Sequence, residues 1–189
     1  LLSNLYLDPL DHEMARKGIE MIRYADDFIL MCRTQAEAEA ALEQVRIWVG
    51  SVGLSLHPEK TRLVDASQRG GFEFLGWHFE RGYRWPREKS VARLKESLRE
   101  QTPRNSGQSL KTIIAGINRR LRGWAGYFRG GVVHQHERVD QWLRMRLRSV
   151  LRRREKRKGR GHGLDHQRYP NAFFMEQGLI SLKALATVK

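Results

Sequence analysis

The chain has 189 residues, 40% of them apolar, which is enough for one large domain or two small ones with real cores and excludes a disordered tail. Its 35 Lys and Arg against 21 Asp and Glu leave a net charge of +14 and an isoelectric point near 10.6, pointing to a polyanionic partner, nucleic acid ahead of membrane. A single cysteine, Cys32, excludes an intramolecular disulfide and a four-cysteine zinc ribbon and fits a reducing compartment, and no apolar run approaches the ~18 residues of a membrane span. The charge is unevenly spread: residues 1–80 carry 8 basic and 13 acidic side chains, residues 81–189 carry 27 and 8. Two halves with different tasks follow. The chain opens without Met or a charged-then-apolar leader, and so reads as an excerpt from the middle of a longer protein.

Residues 3–17 read as a helix, with Ser3 or Asn4 as its cap, Leu5, Leu10 and Met14 as core contacts, and Pro9 disturbing its course. Met21-Ile22-Arg23 and Phe28-Ile29-Leu30 then flank Tyr24-Ala25-Asp26-Asp27 and predict a hairpin over about 19–33. Its bend carries two adjacent carboxylates, where oxygens reach a hard cation. Taken alone, such a pair is a solvated turn, since Asp is a favoured turn residue. Cys32 reads as a buried hairpin residue. Thr34 caps a helix from Gln35 to Val49, with Ala38, Ala41, Leu42, Val45 and Trp48 at helical spacing, and Gly53 stops it as a left-handed cap. Leu54-Ser55-Leu56 and Thr61-Arg62-Leu63-Val64 alternate like short strands around His57-Pro58-Glu59-Lys60. Phe72, Phe74, Leu75, Trp77 and Phe79 belong to another hairpin, closed near Arg81-Gly82.

After Pro86 the pattern turns helical. Glu88 to Arg99 places Val91, Leu94 and Leu98 on one face, and Pro103 to Gly107 is a loop. Ser109 opens a helix through Phe128 in which Leu110, Ile113, Ile114, Ile117, Leu121, Trp124 and Phe128 form a stripe at steps of three and four. Lys111, Arg119, Arg120 and Arg122 lie off that stripe. A third helix, about Val133 to Arg154, aligns Val139, Trp142, Leu143, Leu147, Val150 and Leu151 before a basic run from Arg152 to Arg160. Residues 161–172 read as a polar loop, and Phe173 to Val188 as a last apolar segment. The fold class expected is α+β, with residues 1–85 mixing strands and helices, 86–160 a three-helix bundle, and 161–189 a tail.

Three separate segments resemble one family in the same order, that of group II intron reverse transcriptases, also called intron-encoded maturases. Ser3-Asn4-Leu5-Tyr6-Leu7 with Leu10-Asp11 resembles the helix before the polymerase motif, and Tyr24-Ala25-Asp26-Asp27 resembles the motif itself. Gly53-Leu54 with Lys60-Thr61, and Phe74-Leu75-Gly76-Trp77, are similar to the next two palm motifs. Ile117-Asn118 through Leu121-Arg122-Gly123-Trp124-Ala125-Gly126-Tyr127-Phe128 resembles the maturase signature of the thumb, domain X, and Tyr169-Pro170-Asn171-Ala172-Phe173-Phe174 to Leu182 the tail that follows it. The resemblance implies the distal part of a polymerase palm followed by an all-α thumb. It also implies an enzyme, an RNA-directed DNA polymerase using two Mg²⁺, whose partners are intron RNA, an RNA template with its DNA primer, and dNTP, in a cytoplasmic bacterial ribonucleoprotein or an organelle.

On this resemblance Asp26 and Asp27 are the catalytic metal ligands. The family's chemistry also needs an aspartate on an earlier palm strand, for which Asp8 and Asp11 are no substitute, so the chain by itself is expected to bind RNA without extending a primer. Tyr24 and Ala25 either border the nucleotide and primer end or fill the hairpin. Lys60 either holds triphosphate or is a surface lysine. Gly76 and Trp77 match a segment that grips the primer, although Trp77 suits a core as well. Lys111, Arg119, Arg120, Arg122, Arg152, Arg153, Arg154, Lys156, Arg157 and Lys158 are the expected phosphate contacts, because residues 144–160 hold ten basic side chains and one acid, more than solubility requires. Tyr127, off the apolar stripe, is free to stack on a base. His162 and His166 are four apart, but Gly161 and Gly163 make that stretch a poor helix and phosphate or solvent contact the better reading. Two alternatives differ in kind: an RNA-binding splicing factor with a relic palm, and a reverse transcriptase of another bacterial element. The intact Asp26-Asp27 weighs against the first and the thumb signature against the second.

Overall fold

The computed structural model describes residues 2–159, 161 and 163–187; Leu1, Arg160, His162, Val188 and Lys189 lie outside the described residues. The chain forms two compact units, Leu1–Phe74 and Leu75–Lys189. The division falls before the hairpin that closes at Arg81-Gly82, so that hairpin belongs with the helices and not, as expected, with residues 1–85.

In the first unit, helix α1 (Leu2–Arg16) precedes strands β1 (Glu20–Tyr24) and β2 (Asp27–Met31), helix α2 (Gln35–Ser51) and the short strand β3 (Phe72–Phe74). β1 and β2 pair antiparallel from Glu20↔Met31 to Tyr24↔Asp27. Leu7, Leu10 and Met14 of α1 meet Val45 and Val49 of α2, with Met21, Phe28 and Leu30 of the hairpin packed on them. Leu5, expected in this core, is 69% exposed; Leu7 holds the place because it keeps the three-and-four spacing with Leu10 and Met14. Pro9 lies inside α1 and removes one amide donor without ending the helix. Thr34 caps α2 as expected, its hydroxyl accepting from the Glu37 amide at 3.2 Å while the Glu37 carboxylate accepts from the Arg33 amide at 2.9 Å. The helix ends in a Schellman motif: Gly53 N–H donates to Gly50 O, Leu54 N–H to Val49 O, and Gly53 sits at φ 74°. The strands expected at Leu54–Leu56 and Thr61–Val64 do not form. Leu54, Leu63 and Val64 are exposed, and alternation without a facing strand has nothing to pair with.

The second unit begins with the hairpin β4 (Trp77–Glu80) and β5 (Tyr83–Pro86), joined by Arg81 and Gly82 at φ 53° and 75°. This two-residue left-handed turn matches the twist of the strands. Helices α3 (Glu88–Gln101), α4 (Leu110–Tyr127) and α5 (His134–Arg154) follow, then three short ones, α6 (Leu164–Arg168), α7 (Asn171–Glu176) and α8 (Leu182–Thr187). Ser109 caps α4 through the Thr112 amide at 3.1 Å. The apolar faces of α3, α4 and α5 meet as their periodicity predicts, and Phe174, Leu179 and Leu182 join the same core. Residues 163–187 are therefore part of the bundle and not a separate tail, and α6 lies where a loop was expected. Burial of Phe174 and Leu182 to 0% exposure supplies the reason: short helices that are marginal alone form when they cover a core.

Two buried polar side chains fix that last segment. Asn118, on the apolar stripe of α4, donates to Gly178 O at 2.7 Å and accepts from Ile180 N–H at 3.1 Å. Asp140 of α5 accepts from Leu182 N–H at 2.9 Å, Lys183 N–H at 3.2 Å and the Ser181 hydroxyl at 2.6 Å. Asn118→Ala leaves a buried amide and carbonyl unpaired and should cost ~1–3 kcal/mol in urea denaturation. Hydrogen exchange at Ile180 should accelerate in the same variant.

His136 of α5 is fully buried beside Trp124, ring centroids 5.2 Å apart. Burial pushes its pKa down, only partly offset by the nearby Val132 carbonyl, which forms no well-directed hydrogen bond, and by the Asp140 charge. An unfolded histidine titrates near about 6.5, so below that pH the unfolded chain binds the proton in preference. Stability should therefore fall as pH drops from about 7.5 to 5.5, and His136→Phe should flatten that slope in thermal melts.

Candidate functional site

The hairpin of the first unit brings Asp26 and Asp27 to its tip. Tyr24 and Asp27 are the last paired residues, so Ala25 and Asp26 form the bend. Ala25 stands at φ 56°, a left-handed conformation that costs a residue with a Cβ about 1 kcal/mol or more. Arg23 holds it there. Its Nη1 donates to the Ala25 carbonyl at 2.7 Å, while Nε and Nη2 grip Asp11 of α1 at 2.8 and 2.5 Å, and Nη1 also reaches Asn4 Oδ1 at 3.1 Å. The Asp11 hydrogen bond raises the Arg23 pKa and outweighs the opposing effect of burial, so the fork stays charged.

Asp26 and Asp27 are both exposed, and neither side chain bonds to another described residue. Magnesium prefers oxygen and is usually held through one or two carboxylates plus water and phosphate, so this pair fits it. No group of three or more His, Cys, Asp or Glu placed to hold a metal occurs among the described residues. Tyr24 is 67% exposed opposite Asp27, with its ring open to solvent, and Ala25 is half-buried at the bend. Lys60 is exposed after a turn in which its amide and that of Thr61 donate to His57 O. Sequence reasoning missed the Arg23–Asp11 pair. The legible signal was a cation two residues from Met21, on the inward side of the strand.

In the second unit, Gly76 lies at φ 83°, and its carbonyl accepts from the Arg87 amide and the Ser90 hydroxyl, both at 3.0 Å. Tyr127 is 57% exposed, and its hydroxyl donates to Leu75 O at 2.7 Å, tying α4 to the same turn. Trp77 is interior: it is 8% exposed, edge-on to Phe128 at 4.9 Å, under the Arg84 guanidinium, and so close to Gly131 that a Cβ there would lie 2.7 Å from the ring. Its ring is packed in the interior, the core placement that its sequence also suited.

The basic segment divides in two. Asp165, fully buried, receives Arg152 at 2.8 Å and Arg157 at 2.5 Å, and Arg157 also pairs with Glu155 at 2.7 Å. Glu155 further takes Arg168 at 3.0 Å and the Tyr169 hydroxyl, and hydrogen bonding from Tyr169, then from Arg157, holds its pKa low. Arg154 donates to Gln108 O. Arg152 and Arg157 are thus committed inside the fold. Lys111, Arg119, Arg120, Arg122, Arg153, Lys156 and Lys158 remain exposed, their side chains without a partner among the described residues.

Residues 1–79 match the family described as reverse transcriptase (RNA-dependent DNA polymerase), and residues 91–169 match the group II intron, maturase-specific domain. The two matches, in this order, show that the chain belongs to the group II intron reverse transcriptase/maturase family. No match was found among curated proteins. The matches fit the architecture, an α+β unit followed by a helical one.

Replacing the Arg23 fork should loosen the bend. Arg23→Ala should speed amide exchange at Asp26 and Asp27 by about tenfold for each ~1.4 kcal/mol of local stability lost. Arg23→Lys should not restore protection, because an ammonium cannot bridge Asp11 and Ala25 with a planar fork. Wild-type exchange rates in the lysine variant would contradict the clamp.

Proposed function

We propose that the chain serves a group II intron-encoded reverse transcriptase/maturase in two ways: its helical unit binds intron RNA and assists splicing, and its hairpin supplies Asp26 and Asp27 to DNA synthesis on an RNA template. The observation carrying the second role is the clamped bend with two unpaired carboxylates. Magnesium held there would neutralise charge on the transferring phosphate and lower the pKa of the attacking primer hydroxyl. Asp26 and Asp27 would be its ligands, and Arg23 would keep them at the tip of the bend. Tyr24, exposed opposite Asp27, would border the incoming nucleotide, and Lys60 would meet its phosphates. Two carboxylates are fewer than a two-metal site uses, so the chain as it stands should bind RNA without extending a primer. In a protein with the complete palm, Asp26→Ala should abolish primer extension and leave affinity for intron RNA unchanged. Equal loss of both would sink the separation of roles.

The first role rests on the unpaired cations of the helical unit, which would neutralise phosphates and release counterions without reading sequence. Affinity for structured RNA should fall steeply with salt. Arg153→Ala with Lys156→Ala and Lys158→Ala should flatten the log–log salt slope by roughly 2 to 3 at about 0.7 to 0.9 per phosphate contact. Arg152→Ala with Arg157→Ala should instead lower the melting temperature, because buried Asp165 loses both of these cations. A filter-binding series across salt, run beside thermal melts, distinguishes the two sets.

A further inference from the structure

An open cleft of about 820 Å³ lies between α3 and α4. Glu100 and Gln101 border it from α3; Gly116, Arg119, Arg120, Gly123 and Trp124 border it from α4. Arg119 and Arg120 are exposed and their side chains bond to no described residue. Gln101 Oε1 and Trp124 Nε1, beneath the cleft, are a buried acceptor and a buried donor without a hydrogen-bond partner. Gly116 and Gly123 weaken the interior of an 18-residue helix relative to Ala, yet packing demands neither. A Cβ at Gly123 would meet nothing within 4 Å, and one at Gly116 only Gln101 Oε1 at 3.4 Å, an ordinary contact. What the two glycines do, two helical turns apart on one face, is keep the cleft open.

We infer that this cleft takes one unpaired nucleotide of an RNA strand, its base beside Trp124 and its flanking phosphates on Arg119 and Arg120. The inference rests on the RNA-binding reading and goes beyond it in naming a site and a ligand. The Trp124 indole at the cleft suits a nucleobase, whose face stacks on an aromatic ring. Two free guanidiniums at the rim suit the phosphates on either side of that base. A fully paired helix satisfies the cations and leaves the slot empty, because its bases are stacked inside.

The test uses the whole chain with two RNA hairpins that differ only by a single bulged 2-aminopurine. The bulged hairpin should bind about tenfold more tightly, the scale of one base stacked on an aromatic side chain, and its fluorescence should change on binding. Gly123→Leu, which fills the cleft, should abolish both effects while leaving the melting temperature and the affinity for the paired hairpin unchanged. Should that variant lose stability, Gly116→Met fills the other end and is read the same way. Equal affinity for the two hairpins, or a bulge preference that survives filling, overturns the cleft alone and leaves general RNA binding standing. Failure to bind either hairpin overturns the RNA-binding reading together with the cleft.

Discussion

A carboxylate removed from water must be met by hydrogen bonds or by cations, at a cost of several kcal/mol otherwise, and the helical unit closes around two that are. Asp140, 4% exposed, spends its oxygens on the start of α8, and Asp165, 0% exposed, spends its on Arg152 and Arg157. Asn118 does the same with a neutral amide, spanning Gly178 and Ile180. Apolar burial would hold these segments together in many registers. Directed polar pairing selects one, and with it the seating of Phe174, Leu179 and Leu182 in the core.

The same requirement sorts the positive charge. A run as basic as residues 144–160 reads as a uniform phosphate-binding strip, yet its arginines do different things. Arg148 donates to Tyr169 O and Asn171 Oδ1, Arg152 and Arg157 neutralise Asp165, and Arg146 spans Arg99 O and both oxygens of Thr102 at the end of α3. Such guanidiniums organise backbone carbonyls and two acids, Asp165 and Glu155, within the fold. Arg153, Lys156 and Lys158 lie at the same end of α5 with no partner among the described residues. Net charge therefore overstates the number of cations left free to meet an anionic partner.

Most of the helical architecture was legible in the sequence, for a reason visible at particular positions. Val91, Leu94 and Leu98, or Ile113, Ile117 and Leu121, repeat at steps set by helix geometry, and Thr34 and Ser109 carry the side chains that bond their own helix starts. What failed was pairing at a distance. Leu54–Leu56 and Thr61–Val64 have a strand's alternation, but alternation does not supply a neighbour. Asp165 sits in a polar, Gly-rich stretch, where nothing local distinguishes a buried acid from a solvated one. Asn118 carried a signal that went unread, a polar residue at a position the stripe of α4 turns inward. At the candidate site, the hairpin and its two carboxylates were legible from turn chemistry, whereas the Arg23–Asp11 link joins residues of separate elements and needed the fold.

That link bears on how the bend can serve chemistry. A cation beside paired carboxylates would ordinarily be drawn to them, as Arg152 and Arg157 are to Asp165. Arg23 is instead occupied by Asp11, and reaches the bend only through the Ala25 carbonyl. The guanidinium thus fixes the backbone without consuming the oxygens of Asp26 and Asp27. Rigid backbone with unengaged carboxylates is the arrangement a hard cation requires, since ligands already paired to arginine would have to break that pair before binding. Asp11 makes this possible by pairing with Arg23, so α1 sets the electrostatic condition under which the two carboxylates at the bend stay unengaged.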